Sequence, residues 1–397
     1  MTMKIVNGSI KYCISKTTAT AFLLVFAVNA LHTAVAASTD GELVGSGTYG
    51  PFSDASGQIE TRIHYKIFYG HMISGITAVS SDEVLAGGGA YLYDGSDAFL
   101  VGSYPYMTSN AADNRIDKNG DPQNFARRWV GQSKNRTSSS PKHYLMVQAI
   151  GMKLLKNSPI GEYFTRDELL EYMRYSKVSS SKAENPAAMA GPPDGYRLIS
   201  GGGRVIDAFD RNNFLTKSYA TGDDSLPYNW YVQAKQANSS STAKVQAFSI
   251  GLIKNPGYAG DSIAGFGNVN IRWYKYRPDH QEADSNIPQE YFPAYTDGFL
   301  YYRQVDNVRI GVGSYYDNVL PYASAKNGEY VHSAVTAVGG YSIHQGNGRF
   351  LTKLGLSYTG IGIFVGDSDS VSPRAGTLGG QMIGLIKDSD GDVWGNN

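Results

Sequence analysis

The most regular hydrophobic pattern in the chain runs from Ile59 to Tyr69. Ile59, Ile63, Tyr65, Ile67 and Tyr69 fall on one parity, and Glu60, Arg62, His64 and Lys66 on the other. That alternation predicts a half-buried strand. A second pattern is more uniformly apolar and occurs three times, as Val147-Gln148-Ala149-Ile150-Gly151-Met152-Lys153, Val245-Gln246-Ala247-Phe248-Ser249-Ile250-Gly251-Leu252-Ile253-Lys254 and Gln381-Met382-Ile383-Gly384-Leu385-Ile386-Lys387. Each predicts a strand that closes one unit of a repeat.

Other segments recur ahead of these in a constant order. A glycine run opens each unit, at Gly87-Gly88-Gly89, Gly201-Gly202-Gly203 and Gly339-Gly340. Phe99-Leu100, Phe214-Leu215 and Phe350-Leu351 follow, with Phe placed 10, 11 and 10 residues after the last glycine. A third segment starts on an aromatic residue: Trp129-Val130-Gly131-Gln132-Ser133-Lys134, Trp230-Tyr231-Val232-Gln233-Ala234-Lys235 and Phe364-Val365-Gly366-Asp367-Ser368-Asp369. The expected fold is all-β, with three internal repeats of about four antiparallel strands each, arranged as a β-prism-like body or as tandem small sandwiches. Three units are too few for an ordinary propeller. Glycine inside a strand weakens it, so these runs need a reason, and crowding where the repeats meet supplies one.

The boundaries follow. Residues 37–72 form an N-terminal strand segment, 73–157 repeat 1, 196–256 repeat 2 and 331–397 repeat 3. Between them lie a helical insertion and linker (158–195) and an aromatic-rich insertion (257–330). One short helix is expected near 165–176, where Thr165 and Glu168 form a capping box and Leu169, Leu170 and Met173 an apolar stripe.

Residues 1–36 read as a cleaved signal peptide: Lys4, Lys11 and Lys16, an apolar core from Ala21 to Val28, then Ala34-Val35-Ala36. Its removal takes away Cys13, the single cysteine, so no disulfide or thiolate metal site is expected. A secreted, extracellular protein of bacterial type is the reading. The three lysines leave with the leader, so 32 basic residues face 35 acidic ones. That balance, without basic runs, disfavours nucleic acid as a partner.

Candidate chemistry is sparse. His64, His71, His143, His280, His332 and His344 show no metal-ligand spacing, and no nucleophile motif is present. Asp117, Asn119 and Asp121, and again Asp388, Asp390 and Asp392, place oxygen side chains at alternate positions around a glycine. Turn formation is the preferred reading of both loops; calcium is the one cation they would take, and no other cofactor is expected. Trp129, Gln132 and Lys134, with Trp230, Gln233 and Lys235, combine an aromatic face with amide and ammonium donors, as sugar stacking requires. Core packing of both tryptophans is the stronger alternative. Tyr274, Tyr276 and Tyr302 in the aromatic insertion complete the candidate ligand-binding set.

The resulting expectation is a secreted, non-enzymatic, lectin-like or adhesin-like binding protein. Its partner is a glycan or a host or cell-surface receptor, met through repeated aromatic and polar sites. The alternative is a secreted toxin acting on host membranes, with the repeats as its receptor-binding part. An enzyme using carboxylates such as Asp223, Asp224, Asp279 and Glu282 ranks last.

Overall fold

A computed structural model describes residues 40–253 apart from 94–96, 108–113, 117–121, 125, 138, 159, 211, 224–225 and 238–241. Beyond 253 it describes 261–263, 266–276, 292–293, 299–305, 315–324, 334–344, 349–356, 363–369 and 376–387. Residues 1–36, read from the sequence as a signal peptide, lie outside these residues. No helix among the described residues is long and apolar enough to cross a membrane.

The chain opens with β1 (Glu42–Ser53), β2 (Ile59–Gly70) and β3 (Met72–Ala78). Repeat 1 continues through the glycine strand β4 (Val84–Leu92) and the phenylalanine strand β5 (Ala98–Met107). A small hairpin, β6 (Asn114–Ile116) and β7 (Pro122–Asn124), leads to the tryptophan strand β8 (Ala126–Asn135) and the closing strand β9 (His143–Leu154). Helix α1 (Arg166–Glu171) precedes β10 (Met173–Ser179) and β11 (Ala187–Ala190). The four signature strands of repeat 2 are β12 (Tyr196–Ile206), β13 (Asn213–Gly222), β14 (Pro227–Gln236) and β15 (Lys244–Ile253). Then come β16 (Asp261–Ile263), β17 (Gly267–Tyr276), β18 (Phe292–Pro293), β19 (Phe299–Val305) and β20 (Tyr315–Ser324). Repeat 3 ends the chain with β21 (Ala334–His344), β22 (Arg349–Leu356), β23 (Ile363–Asp369) and β24 (Gly376–Lys387).

Three large sheets result, ordered β1-β2-β9-β4-β22-β23-β20-β19-β18, β10-β15-β12-β5-β8-β3 and β11-β14-β13-β21-β24-β17-β16. Every pairing between these strands is antiparallel. Each sheet takes the glycine and closing strands of one repeat and the phenylalanine and third strands of another. The first sheet joins repeat 1 to repeat 3, the second repeat 2 to repeat 1, and the third repeat 3 to repeat 2. This cyclic exchange is a prism, and it excludes three separate sandwiches in a row. Two further strands flank the four in each repeat: β2 and β3, β10 and β11, β17 and β20. The segments read from sequence as an N-terminal strand and two insertions therefore supply the outer strands.

The registers make the repetition physical. Each glycine strand is bulged at one place, at Ala86, Ile199 and Thr336. Each phenylalanine strand is bulged two residues after Phe, at Val101, Thr216 and Thr352. Bulges bend strands, which lets one strand face two neighbouring sheets in turn. The seams between repeats also match: Arg204 pairs Gly102, Tyr341 pairs Lys217, and Tyr91 pairs Lys353. One alignment needs correcting. Trp129 opposes Pro105 and Trp230 opposes Ala220, but Ile363, not Phe364, opposes Leu356 at the equivalent place.

Helix α1 has its capping box at Thr165 and Glu168, and it buries Leu169 and Leu170. It ends at Tyr172, shorter than the stripe suggests, because Met173 already pairs with Leu252 in β10.

At the centre, Phe99, Phe214 and Phe350 form a triangle with all three centroid separations at 5.1 Å. The glycines answer to two kinds of crowding. A Cβ on Gly88 or Gly201 would lie 2.4 Å from the ring of Trp129 or Trp230 of the same repeat. One residue on, Gly89, Gly202 and Gly339 face backbone of the neighbouring repeat, at Leu354, Ser103 and Tyr219, with approaches of 2.4, 2.3 and 2.8 Å. Real Cβ atoms do not fit such gaps, so the strands must be glycine there. In repeat 3, Val338 stands at the Gly88 position, and Ile363 stands where the other repeats have tryptophan.

Candidate functional site

The two tryptophans lie on the inner faces of their sheets. Each is 1% exposed, and each indole N–H donates to the equivalent serine, Trp129 to Ser103 at 2.9 Å and Trp230 to Ser218 at 3.0 Å. Their rings fill the core and offer no face to solvent. Lys134 is also buried, donating to the Ala208 carbonyl at 2.6 Å over the Phe214 ring. Gln132 and Gln233 point the other way by strand alternation, onto the outer faces.

The outer faces are where the seams lie. Residues opposed across a seam share a face, so Tyr91 with Lys353, Tyr341 with Lys217, and Arg204 with Gly102 mark three equivalent outer positions. Around each of them aromatic rings collect.

The first sheet carries the largest group. Register places Tyr69 beside Tyr144, and Ile67 beside Met146 and then Tyr91. Tyr49 and Tyr65 stack at 4.6 Å, while Tyr69 and Tyr144 meet at 4.5 Å and Tyr91 and Tyr93 at 5.3 Å with tilted rings. Tyr93 and Tyr144 are 49% and 40% exposed. Glycines make room for the rings: a Cβ on Gly47 would meet the Tyr65 hydroxyl, and one on Gly355 the Tyr91 ring. Burial pushes the Tyr49 phenol up to about 12, with the Tyr65 hydroxyl adding to it. Tyr91 is raised further, by burial and by the hydroxyl of Tyr93. These phenols stay protonated at neutral pH, so they can both donate and accept.

On the third sheet, Tyr219 lies 5.6 Å from Tyr231 and 5.2 Å from Tyr341. The half-exposed Met189 is opposite Tyr231, and Gln233 is opposite Lys217. On the second sheet, Tyr104 stacks on Phe248 at 5.1 Å, and the Arg204 guanidinium lies over the Tyr104 ring at 5.0 Å. A polar row, Ser179-Gln246-Arg204-Gly102-Gln132-Ser74, crosses all six strands of that sheet. Gln246 donates to Ser179, Arg204 to Gln246, and Gln132 to Ser74, at 3.0, 3.0 and 3.1 Å.

One seam contact shows how closely the faces correspond. The Gln148 amide accepts from Leu356 N–H and donates to its carbonyl, both at 2.8 Å. At the equivalent place Gln381 accepts from Ala220 N–H at 3.1 Å. In the second sheet the opposed residue is Pro105, which has no N–H to satisfy, and the amide is replaced by Phe248.

Tyr274 and Tyr276 lie in β17 opposite Met382 and Gly380, and Tyr302 lies in β19 opposite Phe292. Asp117, Asn119, Asp121, Asp388, Asp390 and Asp392 are outside the described residues. Among the described residues no group of three His, Cys, Asp or Glu side chains could hold a metal ion. Tyr65, Tyr69 and Tyr91 were visible in sequence only as strand residues.

No protein-family model matches the chain, and no curated protein matches it significantly in sequence.

Proposed function

We propose that the protein is a secreted, non-enzymatic, lectin-like binding protein that holds glycans on the outer faces of its prism. The observation that carries this reading is the tyrosine group of the first sheet. It combines flat apolar rings with neutral hydroxyls, the pairing that lets a sugar ring stack while its hydroxyls find partners. Tyrosine also orders at small entropic cost, having two rotatable side-chain bonds. Aromatic groups at the equivalent seams of the other two sheets support multivalent attachment to a surface displaying many sugars. The leader pattern supports export.

The test is a glycan array with the mature protein, compared with Tyr93→Ala/Tyr144→Ala. These two rings are the most exposed of the group, so the variant should keep its melting temperature. It should lose about three- to tenfold in affinity for the array's best ligand, the scale of one or two aromatic contacts. Equal loss of stability and binding would sink the assignment of these tyrosines.

A further inference from the structure

Each seam holds one cation at its centre. In the first sheet it is Lys353, opposite Tyr91, and in the third it is the equivalent Lys217, opposite Tyr341. The second sheet has Gly102 at the lysine position, and the cation comes from the other strand as Arg204, at the tyrosine position. The residue changes sides, yet a positive charge is kept at all three seams.

Among the residues whose side chains are described, no ion pair joins Lys353, Lys217 or Arg204 to an acidic group. Burial alone holds the Lys353 ammonium below the usual lysine range. Lys217 is lowered by burial and then by the charge of Lys235, so two like charges share this seam. Arg204 donates to neutral groups, its Nε to Gln246 at 3.0 Å and its Nη1 to the Tyr104 hydroxyl at 3.3 Å. Half-burying a cation without a counter-charge is unfavourable, and setting two side by side more so. A bound anion would relieve both costs through charge-assisted hydrogen bonds.

We infer that the glycans held at the three seams are anionic, carrying a carboxylate or sulfate that meets Lys353, Lys217 and Arg204 while the adjoining aromatic rings take the sugar. This rests on the glycan-binding reading above, and it names the class of glycan. Gln233 and Lys235, singled out in the sequence, adjoin the Lys217 seam.

The experiment is calorimetric titration with three probes: a uronate oligosaccharide, its carboxyl-reduced neutral form, and a sulfated oligosaccharide. The acidic probes should bind, and the stronger of them identifies the anion. The neutral form should bind at least about tenfold more weakly, and the gap should shrink as salt is raised. Lys217→Met/Lys353→Met/Arg204→Met should lose the acidic probes, whereas Lys217→Arg/Lys353→Arg should keep them. Lys353→Met alone should melt no lower than the parent, since it removes an uncompensated charge. Equal binding of the reduced and acidic sugars, or unchanged affinity in the triple methionine variant, would overturn the inference while leaving glycan binding intact. Binding of no sugar in any form would remove the glycan reading itself.

Discussion

His143 shows what a single buried polar residue does here. It is 0% exposed, with Nε2 against the Ser133 hydroxyl at 2.7 Å and Nδ1 against the Asn135 amide oxygen at 2.8 Å. The set resembles a nucleophile with its base, but the serine is as buried as the histidine and no substrate can reach it. Repeat 2 has Ala234, Ala243 and Gln236 at the equivalent positions, so the network is a local solution to a buried hole. Burial lowers His143 to about 4, with His71 adding and Asp40 opposing. The unfolded chain binds a proton near pH 6.5, and the folded one does not until near pH 4. Stability is therefore full above pH 6.5 and is lost as pH falls through that window, by about 3 kcal/mol at its acid end. Urea unfolding at pH 7.5 and 4.5 should show the drop, and Ser133→Ala/His143→Ala should flatten it.

Between elements, the glycine and third strands of each repeat trade volume. In repeat 1, Ala90 faces Gly131, where an added Cβ would lie 3.0 Å from the alanine and 2.6 Å from Val147 of the closing strand. In repeat 2 the sizes are reversed: Gly203 lies under Val232, 2.3 Å from where its Cβ would be. Repeat 3 follows repeat 2, with Gly340 under Val365 at 2.4 Å. A core at crystal-like density has room for one large residue per pair. Gly203→Ala should cost about 1–3 kcal/mol by overpacking. Val232→Gly should also destabilise, but the double variant should lose less than the two single losses together, by about 1 kcal/mol or more. Strict additivity in a double-mutant cycle would show that the contact is not what requires the glycine. The glycine runs and the repeat period were legible because close approach leaves a compositional mark. The tryptophan position of repeat 3 was misread by one residue because isoleucine there removes the aromatic marker.

For the whole molecule, exchange between repeats has a direct consequence. No repeat owns a complete sheet: β12 and β15 need β5 and β8, while β13 and β14 need β21 and β24. The phenylalanine triangle likewise draws one ring from each repeat. An isolated fragment of residues 173–253, all six strands of repeat 2, should show no cooperative thermal unfolding, whereas residues 40–397 should melt in one transition. A folded, monomeric fragment would count against the prism. The order of the four signature strands could be read from the sequence because periodicity and glycine placement are local properties of the chain, but the two flanking strands of each repeat carry no such mark. Which strands share a sheet, and which tyrosines meet, are long-range matters. Tyr65, Tyr91 and Tyr144 come from separate strands, and Lys353 joins them from another repeat. The sequence by itself determined the all-β unit, its threefold copying and the need for glycine at its centre. The exchange of strands, the burial of the tryptophans and the outer tyrosine faces were decided by tertiary packing, because bulged strands turn the same side chain parity inward at one end and outward at the other.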